Sequence, residues 1–92
     1  CINVLAADQK SVCDQFAKPG MAASIGWRAG VTGSPVLEGV LAYIDCDLEA
    51  EHDAGDHLIA VGRVRDIRIL DAAKGPLLFF RGGYGGFSAL GA

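Results

Sequence analysis

The run from Val40 to Glu49 constrains this chain more than any other stretch. Val40, Ala42, Ile44, Cys46 and Leu48 alternate with Leu41, Tyr43, Asp45, Asp47 and Glu49. A period of two sends these sets to opposite faces of a β-strand, since successive strand side chains point to opposite sides of a sheet. The even set is expected to face a core. The odd set begins apolar and ends acidic, so that face is expected to pass from buried contact into solvent. The strand is read over Val36 to Glu51, with His52-Asp53-Ala54-Gly55 as the turn that ends it.

The next strand, His57 to Leu70, changes parity midway. Leu58, Ala60, Gly62 and Val64 share one face, but simple alternation sends Ile67 and Ile69 to the other. A one-residue slip in an apolar set is what a β-bulge produces, and the slip falls near Arg65-Asp66. Long, bent antiparallel strands of this kind close small barrels.

The flanking segments are shorter. Ile2 to Leu5 reads as a buried strand. Ala7 to Lys18 reads as a surface helix with one narrow apolar stripe of Val12, Cys13, Phe16 and Ala17. Asp8 suits the positive end of its dipole, and Pro19-Gly20 stops it. Met21 to Ser34 is irregular; Ile25-Gly26-Trp27 is a candidate short strand, broken by Gly30, Gly33 and Ser34-Pro35. Asp71 to Gly75 is a polar turn, and Pro76 to Phe80 is a last apolar strand. Gly82 to Gly86 reads as a loose turn, or as a loop whose backbone approaches a planar ligand while Tyr84 or Phe87 packs on it.

Composition narrows the class of partner. The chain has 92 residues, enough for one small domain. Hydrophobic residues make up 51%, with mean hydropathy +0.32, which is rich for a domain this small. Such a domain is expected to bury apolar surface against another subunit or another segment. No apolar run approaches the ~20 residues that span a bilayer, so protein is the expected partner and membrane is not. Cys1-Ile2-Asn3-Val4-Leu5 reads as the inside of a strand, and residues belonging to the fold are expected upstream. Net charge is −3, with 8 basic and 11 acidic residues, so nothing attracts nucleic acid. Arg63, Arg65 and Arg68 form the one basic cluster, either a solvated strand end or a local grip on a phosphate. Alternation puts Arg63 and Arg65 on one face and Arg68 on the other. Three cysteines without a CxxC pair argue against a disulfide framework. With no signal peptide read at the start, they fit a reducing cytoplasm.

The leading chemical candidate is Gly55-Asp56-His57, a carboxylate and an imidazole at the mouth of an apolar strand. Rigid sheet rims are where titratable groups are held for use. A direct Asp56–His57 hydrogen bond requires the pair to lie in the turn, since adjacent strand residues diverge. From composition alone, a strand-end histidine is more often structural or exposed than catalytic. Cys46, His52, Asp53 and His57 could all ligate a metal, but their spacing fits no standard zinc pattern, and no metal is expected. There is no G-x-S-x-G elbow, and Gly82 to Gly86 is no dinucleotide fingerprint.

In order, Asn3-Val4-Leu5, Gln9 with Phe16-Ala17, Gly33-Ser34-Pro35-Val36-Leu37, Cys46, Gly55-Asp56-His57 with Ile59 and Gly62-Arg63-Val64, then Pro76-Leu77-Leu78-Phe79 with Gly83-Tyr84 resemble the C-terminal half of the flavin reductase-like domain. Members of that family are the reductase components of two-component flavin monooxygenases. The resemblance implies a mainly β, split-barrel fold of the FMN-binding type with a covering helix. Residues 1–92 would be the C-terminal part of one such domain, the barrel being incomplete here and the fragment itself inactive. It implies a homodimer with flavin sites near the interface. It also implies hydride transfer from NADH or NADPH to FMN or FAD, with reduced flavin passed to a partner monooxygenase. Carried over, His57 is the catalytic rim residue, hydrogen-bonding the nicotinamide or flavin edge. Asp56 orders that turn and Gly55 permits it. Tyr84 packs by the cofactor, and Asn3 lies in the strand beside the isoalloxazine. The alternative is a split-barrel protein that binds flavin or haem as a carrier or sensor without reducing free flavin.

Overall fold

The computed structural model describes residues 1–20 and 24–91. Eight elements follow in chain order: β1 (Ile2–Val4), α1 (Lys10–Ala17), β2 (Trp27–Ala29), β3 (Pro35–Leu37), β4 (Ala42–Ala54), β5 (His57–Ile69), β6 (Leu78–Phe80) and β7 (Gly83–Gly85). Strands β1, β4 and β5 make one antiparallel sheet in the order β1-β4-β5, while β2-β3 and β6-β7 are separate two-stranded hairpins. β4 and β5 are 13 residues each and run past β1 as a long arm.

The arm contains the expected bulge. Asp45 pairs Asp66 and Cys46 pairs Val64, so Arg65 is the extra residue. The slip returns Val64, Ile67 and Ile69 to one face, opposite Cys46, Ile44 and Ala42. A second shift, with Leu48 opposite Gly62 and Ala50 opposite Val61, leaves Glu49 unpaired. Alternation does not reveal it, because the acidic stretch of β4 carries no apolar pattern to slip. Arg68 ends on the Arg63 face, since their partners Tyr43 and Asp47 share a side of β4; the bulge overturns the expected split of the arginines.

The odd set of β4 passes from buried to exposed as read, but the even set, expected to face a core, is the more open one. Tyr43 and Asp45, from the odd set, are 3% and 0% exposed. The β2-β3 hairpin lies over them, and Val36, Val40 and Tyr43 form a small core with Cys1, Leu5 and Leu37 packed around it. The apolar even face stays open, with Ile2, Leu48, Val64, Ile67 and Ile69 exposed. β1, expected to be buried, is correspondingly half open.

Local chemistry moves several boundaries. The helix starts at Lys10 and not at Ala7 because Gln9, buried, accepts the Ala6 N–H through Oε1 (2.9 Å) and donates Nε2–H to the Glu38 carbonyl (2.8 Å). Asp8 lies outside the helix and pairs with Lys74 instead. Lys18, before Pro19, turns extended and ends the helix, as the residue preceding proline tends to do. β4 runs on through His52 and Asp53 to Ala54, so the turn is Gly55-Asp56 alone. Gly55 has φ +69°, which suits the first central position of a two-residue hairpin. Of the irregular stretch beginning at Met21, residues 21–23 lie outside the described residues; the candidate strand there is β2, shifted to Trp27–Ala29 and paired with β3. Gly82 to Gly86 is no loose turn, because Gly83–Gly85 pairs with Leu78–Phe80.

Candidate functional site

Asn3 sits on the covered face of β1, opposite Tyr43. Its amide joins two sheets that share no ladder. Nδ2–H donates to the Pro35 carbonyl (3.1 Å), and Oδ1 accepts the Leu37 N–H (2.9 Å). Asn3 therefore holds β3 in place through its own side chain, and both ends of its amide are occupied. Beside it an open apolar pocket of ≈350 Å³ is lined by Cys1, Asn3, Leu5, Phe16, Pro35 and Leu37. That volume lies at the low end of the ~300–1,000 Å³ typical of small-molecule sites, enough for a ring system.

Phe16 reaches the pocket from α1, and the same helix face carries Cys13 one turn earlier. The Cys13 Sγ lies 3.4 Å from the Tyr84 hydroxyl. Tyr84 also meets Phe79 edge-on at 5.0 Å, and the Lys10 ammonium stands 5.1 Å from its ring centre. The Cys13 contact, then burial and the negative charge of Asp14, hold the phenol above its ordinary 10.0, so it stays protonated at neutral pH. Helix α1 thus links two of the expected site residues, Asn3 at its pocket and Tyr84 through Cys13. The pocket walls Phe16, Pro35 and Leu37 were not among the expected ligand contacts. Phe16 had a signal, the apolar stripe of α1; Pro35 and Leu37 depend on how β3 folds back on β1.

Gly55, Asp56 and His57 come together at the far tip of the arm. His57 Nδ1 lies 2.6 Å from Asp56 Oδ1, with side chains 80% and 92% exposed. The turn position allows this contact between neighbours in sequence. With Nδ1 engaged by the carboxylate, Nε2 is the ring nitrogen left to meet a second partner. At ~3.3 Å per residue, β4 runs roughly 35 Å along its length from the register of Asn3 to the tip. His57 does not line the Asn3 pocket, and its side chain pairs with Asp56 alone.

Each arginine of the basic cluster has a carboxylate: Arg63 with Glu49, Arg65 with Asp47 (2.6 Å) and Arg68 with Asp66 (3.2 Å). These pairs favour the solvated strand end over a phosphate grip. Asp45 and Asp66 stand directly opposite each other, a like-charge placement that costs stability unless each has donors of its own. Thr32 supplies them to Asp45, and the Tyr43 hydroxyl (2.8 Å) with Arg68 supplies them to Asp66. Both carboxyls are accordingly held below their ordinary 3.8, Asp45 chiefly by the Thr32 hydroxyl and Asp66 chiefly by the Tyr43 hydroxyl. Among the described residues no three of His, Cys, Asp or Glu gather as metal donors, and no helix is long and apolar enough to cross a membrane.

A mainly β chain of open sheets, with one short helix against an apolar pocket, is a split-barrel architecture. Comparison with known proteins gives the family. The model of the flavin reductase like domain matches residues 1–88, and the chain belongs to that family. A flavin reductase from Pseudomonas putida is 46% identical over 92 residues, covering 98% of this chain and 54% of the relative. The reductase subunit HsaB of a flavin-dependent monooxygenase from Rhodococcus jostii (strain RHA1) is 48% identical over 88 residues, covering 94% and 45%. Among solved structures, a homologue of nitrilotriacetate monooxygenase component B from Mycobacterium thermoresistibile superposes with TM-score 0.84 at 39% identity, covering 94% of this chain and 50% of that one. The chain spans about half the length of the curated relatives it matches.

Proposed function

We propose that residues 1–92 are the C-terminal part of a single flavin reductase-like domain, and that the whole protein is an NAD(P)H:flavin oxidoreductase. It reduces FMN or FAD with NADH or NADPH and supplies reduced flavin to a flavin-dependent monooxygenase, in the cytoplasm. The observation that carries this reading is the family match over residues 1–88.

When bound, the flavin supplies the redox chemistry, accepting a hydride at N5 from the nicotinamide C4, so no protein nucleophile is needed. The chain's residues bind, orient and exclude water. The apolar pocket by Phe16 and Leu37 has the size and lining for the flat face of a ring. Asn3 keeps the β3 wall in place, with its amide already committed to the backbone. Tyr84, a protonated phenol of β7 that contacts Cys13 of α1, packs at the side of that seat. Asp56 orients His57, whose free nitrogen meets the nicotinamide or flavin edge. Gly55 makes the turn that aims the pair outward.

The roughly 35 Å that β4 runs from the register of Asn3 to the tip supports a homodimer, in which the arm of one subunit reaches the base of the other. The exposed apolar face of β4-β5 supports burial in the assembled protein. The test is oxidation of NADH and NADPH by the full-length protein with FMN, FAD or neither. Turnover that saturates with one flavin supports the reductase. Flavin bound without turnover means a carrier or sensor.

A further inference from the structure

Asp45 is the largest fully buried side chain of the described residues, and the flavin reading gives it no task. It lies on the covered face of β4 and reaches the loop between β2 and β3. Asp45 Oδ1 accepts the Thr32 hydroxyl at 2.6 Å and Oδ2 accepts the Thr32 N–H at 3.1 Å. The loop closes on itself around this carboxylate. Gly30 N–H donates to the Ser34 carbonyl (2.8 Å), Gly33 N–H donates to the Gly30 carbonyl (3.0 Å), and Ser34 N–H donates to Thr32 Oγ1 (3.3 Å). Gly30 passes so close that a Cβ there would stand 2.5 Å from Asp45 Oδ2. The next residues, Pro35 to Leu37, are the strand that walls the pocket and binds both ends of the Asn3 amide.

We propose that Asp45 is a positioning residue for this pocket: by gripping Thr32 it sets the register of β3 against Asn3, without touching the ligand itself. A buried carboxylate suits this task. It accepts both donors that one turn presents, and leaving either unmet in a dry site is costly, so the loop has one favoured position. β3 itself is only three residues and pairs with an equally short β2, so its ladder alone fixes it weakly. Asn3 and Asp45 hold its two ends.

The effect on flavin rests on the reductase reading; the grip on β3 does not, and the test separates them. In the full-length protein, Thr32→Val removes the hydroxyl, Thr32→Ser keeps it, and Asp45→Asn keeps a single acceptor oxygen. Gly30→Ala crowds the carboxylate as an independent route to the same displacement. The expected result for Thr32→Val is amide exchange at Leu37 about tenfold faster, although the Leu37 N–H bonds to Asn3 and not to Thr32 or Asp45. Flavin KM rises about tenfold while kcat stays within about twofold. Thr32→Ser restores both, and Asp45→Asn falls between. Unchanged Leu37 exchange in Thr32→Val and Gly30→Ala overturns the grip, whether or not the protein turns over flavin. Faster exchange with unchanged flavin KM, in a protein that does turn over, overturns the positioning role and leaves a folding contact. If the wild type shows no flavin turnover, the reductase reading fails alone and exchange still decides the grip.

Discussion

Along β4, the residues up to Asp45 and those from Asp47 onward meet opposite surroundings. Tyr43 and Asp45 are closed beneath the β2-β3 hairpin: Thr32 donates to Asp45, Tyr43 donates to Asp66, and Asn3 accepts the Leu37 N–H beside them. Leu48 and, across from the outer half of β4, Leu58 and Ile59 are open to solvent. The arm is held by its backbone ladder and by surface ion pairs such as Arg63–Glu49. A lone two-stranded hairpin is marginal in water, and this one is apolar besides. The base has a covered face with a small core and an open apolar face at Ile2, Ile67 and Ile69; the arm has no covered face. The expected chemistry is divided in the same way, with Asn3 and Tyr84 at the base and His57 at the tip.

The largest way to break this contrast is to hollow the base. Tyr43→Ala removes the ring at the centre of the core and the donor of Asp66 together. A loss of about 3–5 kcal/mol is expected in urea unfolding of the full-length protein. A loss as small as that of a surface substitution would show the base to be no core at all.

Gly62→Val probes the junction. A Cβ at Gly62 would stand 2.9 Å from Cys46 Cβ, both on the strand backbone side of the open apolar face. The expected cost is about 1–3 kcal/mol, seen as a lower Tm. An unchanged Tm would mean that the two strands part freely at this point.

These two substitutions also show what was legible in the residues. The even and odd sets of β4 and the bulge at Arg65 come from alternation alone, since one slipped residue flips a whole apolar face. The passage of the odd face from buried to exposed was legible; the openness of the even face and the burial of Asp45 were not. These depend on the β2-β3 hairpin, whose three-residue strands carry no period to read, and on the hydrogen bonds of Asp45, which make a carboxylate more buried than Ile69, at 74% exposed. Gly83–Gly85 is invisible as a strand because glycine has low strand propensity, and only pairing with Phe79 and Phe80 reveals it. Gly55-Asp56-His57 was legible as a titratable turn. Its distance from Asn3 was not, because the second bulge and the run of β4 through His52 and Asp53 lie in a polar stretch.

Acid sharpens the comparison next. Asp45 and Asp66 have folded pKa values below 3.8. A depressed pKa contributes stability that is complete above the unfolded value and is lost as pH falls through the folded one. Amide exchange at Thr32 and Leu37 should therefore rise as pH drops below about 4, once corrected for intrinsic rates. Protection that stays constant down to pH ~2 would show these carboxylates to be unimportant to the base.

The smallest expected effect is in the arm. Arg63→Ala breaks an exposed pair with Glu49 and should change stability by less than about 1 kcal/mol. A larger loss would mean that the arm is held by its charges and not by whatever covers its apolar face.

The division between base and tip is tested most directly by single-turnover flavin reduction in the full-length protein, comparing wild type with His57→Ala. The account predicts reduction about tenfold slower, the worth of one hydrogen bond to the reacting pair, with Tm unchanged because the His57 side chain is exposed and meets Asp56 alone among the hydrogen bonds of the chain. A wild-type reduction rate in His57→Ala, or a fall in Tm in its place, would contradict it.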